Sequence, residues 1–231
     1  MTDKLELLSI HIPKTAGSSL FELIKINYGN EACKDYKRED VFVLQKKNKN
    51  LIDDLSNKIK AVHGHLYFKE TLELVKKEKP KIITWFRDPI NRVISNYAFF
   101  IKRLHDDPST FNEAEFINQH RRNESILTYA SHEENRNCMV QFIDGLELRD
   151  LFFFGFVETI ENDIMELANL LSWQYCHITK ENENTQFKKQ YINISIEEIE
   201  RLKELNSLDI KLYNKALALK KAGFKKKKIT S

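Results

Sequence analysis

The chain is poor in the residues that staple or hinge small proteins. Of 231 residues only three are cysteine, six glycine and four proline. Cys33, Cys138 and Cys176 are odd in number, far apart, and form no C-x-x-C pair. That pattern excludes a disulfide framework and a cysteine zinc site, and points to a reducing compartment. No glycine- or proline-rich linker and no internal repeat divides the chain. The most apolar run, Leu151 to Val157, is far too short to span a membrane. The opening residues Met1-Thr2-Asp3-Lys4-Leu5-Glu6 lack the basic start and apolar run of a signal peptide. A cytoplasmic protein is therefore expected. There is also no acidic cluster resembling a magnesium site, and no G-x-x-x-x-G-K-[ST] loop.

What is present is a globular composition. Hydrophobic residues make up 42% and charged residues 31%, with both signs mixed. This is enough to bury the core of one domain, expected over residues 1–219. The net charge of +3 is unevenly placed. Lys220, Lys221, Lys225, Lys226, Lys227 and Lys228 lie in an acid-free segment, 220–231. Without those six lysines, the 37 basic residues fall to 31 against 34 acidic ones. The tail reads either as a solvated end or as a peripheral contact with an anionic surface, lipid or polyanion. No nucleic-acid partner is expected.

The hydrophobic pattern alternates between strand and helix. Strands are expected at Leu7-Leu8-Ser9-Ile10, Val41-Phe42-Val43-Leu44, Ala61-Val62-His63, Ile82 to Phe86, and Leu151 to Val157. Helices are expected from Leu20, near Leu51 to Ile59, over Lys69 to Lys77, from Pro89 through Ile101, over Ile160 to Leu171, and over Ile196 to Leu219. Asp88 and Pro89 form a helix start, an N-cap followed by proline at the first helical position. Residues 106–136 are polar and helix-prone, and 181–185 read as a loop. Strands separated by helices imply an α/β domain with a central, mostly parallel sheet flanked by helices. Ligands of such sheets sit beyond the C-terminal strand ends, where loops enter helices.

Two conspicuous segments fall in that position. Pro13-Lys14-Thr15-Ala16-Gly17-Ser18-Ser19 joins a strand to a helix. It offers free backbone N–H groups and the positive end of a helix dipole to an anion. Gly17 permits close approach, Thr15, Ser18 and Ser19 add hydroxyls, and Lys14 adds charge. The competing reading is an ordinary turn with a polar cap. The second segment begins with Arg87 at a strand end and continues to Ser95, two turns into the next helix. An arginine fork and a hydroxyl suit a terminal phosphate. Arg92 reads as a surface or ion-pairing residue.

Together these motifs resemble sulfotransferases that use 3′-phosphoadenosine 5′-phosphosulfate (PAPS). Ile12-Pro13-Lys14-Thr15-Ala16-Gly17-Ser18-Ser19 looks like their 5′-phosphosulfate loop, and Arg87-Asp88-Pro89 through Ser95-Asn96-Tyr97 like their 3′-phosphate motif. The I-P-K-T-A-G-S-S form and His63-Gly64-His65 are closest to the carbohydrate branch that includes heparan sulfate 2-O-sulfotransferase. Phe154-Gly155-Phe156-Val157-Glu158 and Leu208-Asp209-Ile210-Lys211-Leu212-Tyr213 also fit. The resemblance implies a P-loop-like three-layer fold, with PAPS as co-substrate and no required metal. It implies that Lys14 contacts the bridging oxygen, that the backbone from Thr15 to Ser19 holds the 5′-phosphate, and that Arg87 and Ser95 bind the 3′-phosphate. The acceptor would be a hydroxyl of a saccharide or small metabolite.

Transfer to a hydroxyl needs a base, and histidine suits proton removal near neutral pH. His63 and His65 are two apart, so on an extended segment they point the same way. Gly64 between them admits another backbone or a ligand. The resemblance places the base on His65, with His63 as a supporting contact. A satisfied core histidine, a metal pair and an acidic base elsewhere stay open. His11 reads as structural, Trp85 and Trp173 as core rather than adenine platforms, and Lys188 and Lys189 as a solvated loop. Two other classes compete: a different P-loop-like phosphoryl-transfer enzyme, and a non-catalytic nucleotide-binding protein.

Overall fold

A computed structural model describes residues 4–106, 108–110, 115, 117–177 and 193–223. Five strands form one sheet: β1 (Leu7–Ile10), β2 (Cys33–Tyr36), β3 (Ala61–Gly64), β4 (Lys81–Phe86) and β5 (Phe153–Phe156). Their order is β2-β3-β1-β4-β5, and every neighbouring pair is parallel. Parallel strands need crossover connections, and helices supply them. The described helices are α1 (Gly17–Tyr28), α2 (Arg38–Lys46), α3 (Leu51–Asp54), α4 (Leu72–Glu78), α5 (Pro89–His105), α6 (Ile126–Ser131) and α7 (Cys138–Phe142), which lie in the crossovers, and α8 (Ile160–Leu171), α9 (Ile196–Leu205) and α10 (Ser207–Lys221), which follow β5.

Both sheet faces are covered, so the strands are apolar almost without interruption. Leu7, Ala61, Ile83, Trp85 and Phe153 face Leu20, Leu23 and Ile24 of α1 and Ile164 and Leu167 of α8. The alternate residues Leu8, Ile10, Val62, Ile82, Phe86, Phe154 and Phe156 face α2, α4, α7 and α10. A smaller cluster joins Val93 of α5 to Ile126 and Ala130 of α6 and Leu202 of α9. Each fully buried aliphatic side chain contributes about 1.5–3 kcal/mol. The result is the expected three-layer, P-loop-like α/β architecture. Trp85 belongs to its core, 2% exposed and pressed so close to Gly155 that a Cβ there would lie 2.5 Å from the indole.

Three local expectations change. The segment expected as a strand at Val41-Phe42-Val43-Leu44 lies inside α2. Only Val41 and Leu44 are buried, three apart, while Phe42 and Val43 are exposed. That spacing is helical rather than alternating. Asp40 closes the helix start by accepting the backbone N–H of Lys37 at 2.9 Å. The second strand is instead Cys33–Tyr36, a short, charged edge strand with little apolar signal. The single helix expected over Ile196 to Leu219 breaks at Asn206. Asn137 Oδ1 there accepts the N–H groups of Leu208 at 2.9 Å and Asp209 at 3.2 Å. The helix expected to Ile59 stops at Asp54. The 181–185 loop, Lys188, Lys189 and residues 224–231 lie outside the described residues.

Candidate active site

The site lies where the C-terminal ends of β3, β1 and β4 meet. Strand order runs outward in both directions from β1, which leaves a crevice at these ends. Between β1 and α1 the chain turns through two non-glycine residues in the left-handed region, Lys14 (φ 69°) and Ala16 (φ 65°). Such residues cost roughly 1–3 kcal/mol each and are held by their surroundings. Thr15 supplies part of that hold. It is buried, and its N–H and hydroxyl both donate to Ile12 O, at 3.3 and 2.8 Å. Ala16 provides no side-chain cap for α1. The first-turn N–H groups therefore meet no side-chain acceptor from the cap residue, as in loops that receive an anion.

Gly17 opens α1, and its close approach is to protein. A Cβ there would lie 1.9 Å from His11 Nε2. The imidazole of His11 occupies the space that any side chain at 17 would need.

The second motif converges on the first. Thr84 of β4 donates its hydroxyl to Ile10 O of β1 at 2.9 Å. Three residues later Arg87 Nη1 donates to Lys14 O at 3.1 Å. Burial pulls the Arg87 pKa down, and the nearby carboxylates of Glu158 and Asp88 oppose that shift. Glu158 also accepts the backbone N–H of Asp88 at 2.8 Å and the hydroxyl of Tyr213 at 3.1 Å. The late motifs thus brace the start of α5. Asp88 caps that helix, its carboxylate accepting the N–H of Asn91 at 2.9 Å, with Pro89 at the first position. Ser95 sits buried on the same helix. Lys14 Nζ lies over the ring of Phe99, 4.3 Å from its centroid.

The histidines form a stack of three. His63 is 2% exposed, and its Nδ1 lies 2.9 Å from the hydroxyl of Ser9, its register partner on β1. Its ring stacks on Phe21 at 5.3 Å and on His11 at 4.9 Å. Burial, then the charge of a protonated His65, drives the His63 pKa down to about 3. Gly64 (φ 154°) follows, because a Cβ there would lie 2.4 Å from Tyr36 O. The expected close approach is thus the backbone of β2. His65, partly exposed, stacks on His11 at 4.1 Å and directs Nδ1 at His11 O, 2.9 Å away. Burial lowers its pKa, partly offset by that carbonyl and by Glu39.

The fold therefore gathers Lys14 through Ser19, Arg87, His63 and His65 at one end of the sheet, with Ser95 on the adjoining helix. His11, read from the sequence as structural, stands between the two groups. Arg92, expected at the surface or in an ion pair, is in fact 1% exposed. Its Nη2 donates to Asn135 O at 3.2 Å, and its charge partly offsets the burial that raises the pKa of Asp209. Asp209 in turn accepts the N–H groups of Met139 and Val140 at 3.0 and 2.8 Å. The helical spacing of Pro89, Arg92, Val93 and Ser95 on one buried face was the available signal for Arg92. Trp173 packs with Tyr28, ring centroids 6.1 Å apart, beside a cavity lined by Glu6 and Lys60 at the opposite end of the sheet. Among the described residues no three His, Cys, Asp or Glu side chains converge as a metal site.

Residues 1–216 match the sulfotransferase family, so the chain belongs to that family. It is a PAPS-dependent sulfotransferase, with PAPS as the sulfuryl donor. Among solved structures it is similar to mouse sulfotransferase SULT7A1 complexed with PAP, at 13% identity and a TM-score of 0.46. That likeness covers 94% of this chain and 88% of the other. No curated protein matches the chain. No helix of the described residues is long and apolar enough to cross a membrane.

Proposed function

We propose that this enzyme transfers the sulfuryl group of PAPS to a hydroxyl of a carbohydrate or glycosylated small molecule, by in-line displacement, with His65 as the base. The observation that carries the assignment is the 2.9 Å contact from His65 Nδ1 to His11 O. A carbonyl oxygen can only accept, so Nδ1 holds the proton and the neutral ring keeps its lone pair on Nε2. Its lowered pKa keeps it neutral at pH 7. The acceptor proton moves to Nε2 as the acceptor oxygen bonds to sulfur and the bond from sulfur to the 5′-phosphate oxygen breaks. The product nucleotide is 3′,5′-adenosine bisphosphate.

The two anion motifs divide the co-substrate between them. The backbone of Thr15, Ala16, Gly17, Ser18 and Ser19 holds the 5′-phosphate at the start of α1. Lys14 meets the bridging oxygen and offsets the charge that grows there. Arg87 and Ser95 hold the 3′-phosphate. His63 supports the base from below through the His11 ring.

The carbohydrate assignment draws on the I-P-K-T-A-G-S-S loop and on the rim beside His65. Arg38 donates to His65 O at 3.1 Å, and its guanidinium lies over Tyr67 at 4.3 Å from the ring centroid. Arg38 is paired with Glu70 at 2.6 and 3.0 Å, so the rim beside the base presents mixed hydrogen-bonding groups, which suit an oxygen-rich acceptor. Three free cysteines favour a cytoplasmic enzyme. We also propose that residues 1–219 form one domain, followed by a basic tail. Lys220, at its border, already lies in α10 and pairs with Asp163 at 2.6 Å and Glu166 at 3.2 Å.

The test is thermal shift followed by turnover. 3′,5′-Adenosine bisphosphate without metal should raise the melting temperature more than ATP with magnesium. His65→Ala should retain that shift and lose sulfation in an acceptor screen with labelled PAPS. A preference for ATP with magnesium would instead favour another phosphoryl-transfer enzyme. Bisphosphate binding without turnover on any acceptor would favour a binding protein.

A further inference from the structure

We infer that His11 is a positioning residue that couples the phosphosulfate loop to the base. The inference rests on the reading of His65 as base and of residues 14–19 as the donor loop. His11 touches both sides of the reaction at once. Its N–H donates to Gly64 O at 2.8 Å, which locks its backbone to the end of β3. Its carbonyl accepts from His65 Nδ1 at 2.9 Å. Its ring lies on His65 at 4.1 Å with 23° between the planes, and on His63 at 4.9 Å with 27°. The edge of the same ring fills the space above Gly17, the first residue of α1.

The strands fix the Cα positions of this region, but His65 lies just past the end of β3, where nothing in the sheet fixes its side-chain torsions. The carbonyl of His11 selects the ring's tautomer and the imidazole of His11 limits its tilt. In-line transfer needs acceptor oxygen, sulfur and leaving oxygen on one line, so base and loop must keep a set separation. One flat ring wedged between Gly17 and His65 sets that separation. A glycine at 17 is what allows the wedge.

Burial favours neutral rings in this pair. His11 faces His63, His65 and Lys14, and burial is the largest cause of its strongly lowered pKa. His65 faces His11, Glu39, Arg38 and Lys14; of the charged groups, Glu39 favours its protonation and Arg38 and Lys14 oppose it.

The experiment compares wild type, His11→Ala, Gly17→Ala and the double variant by steady-state kinetics with PAPS, with His65→Ala in parallel. His11→Ala should lower kcat roughly tenfold or more while KM for PAPS moves less than about threefold. It should also move the acid limb of the kcat/KM profile upward, toward the ordinary histidine range, because water reaches His65. Gly17→Ala alone should lose bisphosphate binding in thermal shift, since its methyl meets the imidazole. The double variant should regain that binding but keep the low kcat, because a methyl fills space without orienting His65. If His11→Ala does not fold, His11→Asn carries the same expectations. The inference is overturned if a folded His11 variant keeps wild-type kcat and acid limb, or raises only KM. Low turnover in His65→Ala beside an unaffected His11 variant would remove the positioning role alone. Full turnover in His65→Ala would remove the base assignment beneath it.

Discussion

Acid should unfold this protein through its buried histidines, and His63 allows the effect to be sized. In the unfolded chain a histidine titrates near 6.5, whereas burial holds native His63 down at about 3. A folded value below the unfolded one means that the unfolded state binds the proton first. The stability is therefore present above about 6.5 and is lost as the pH falls toward 3. At pH 5 the native ring is still neutral while the unfolded one is almost fully charged. The gap between 6.5 and 5 then costs about 2 kcal/mol from this one group. At pH 7.5 the same group costs about 0.1 kcal/mol or less. Urea unfolding at both pH values measures the loss, and His63→Gln isolates the share of His63, because carboxylates and the other histidines titrate in both proteins. Wild type should lose on the order of 2 kcal/mol more than His63→Gln between pH 7.5 and 5.0. Equal losses would mean that His63 is protonated or hydrated in the native state, contrary to its 2% exposure and its contacts with Ser9, Phe21 and His11.

Three further outcomes follow from the same geometry. Lys14→Ala should lower kcat by more than it raises the dissociation constant for the bisphosphate, because leaving-group charge grows in the transition state; a change in affinity alone would contradict its role. Arg87→Ala should weaken bisphosphate binding by roughly 1.5–3 kcal/mol, as for charged hydrogen bonds, measured by calorimetry; an unchanged dissociation constant would remove Arg87 from the site. Gly155→Ala should destabilise the fold by about 1–3 kcal/mol, since its methyl would lie 2.5 Å from the Trp85 indole. Trp85→Phe in the same chain should recover part of that loss in urea unfolding, and no recovery would place the strain elsewhere.

The elements that were legible in the sequence are those whose signal is local. β4 and α5 announce themselves through Ile82 to Phe86, the Asp88 cap and Pro89, and the structure places cap and proline as read. α8 runs over the residues expected, Ile160–Leu171. The β2 strand was hidden because an edge strand of Cys33-Lys34-Asp35-Tyr36 has only one buried side chain. Val41-Phe42-Val43-Leu44 misled because four apolar residues in a row fit either period, and only neighbours in space decide which side chains are buried.

By itself the sequence determined the α/β alternation, four of the five strands, the segments 13–19 and 87–95 and the His63–His65 pair, since each is written in adjacent residues. Only the tertiary structure decided how they meet. Pairing of β1 with both β3 and β4 brings Lys14 to Arg87 and His11 to His65, contacts separated by 73 and 54 residues. The burial of Arg92 and the dependence of Gly17 on His11 were settled there as well. Both arise from packing between elements, and no local pattern of residue types encodes the shape of a space that distant side chains fill.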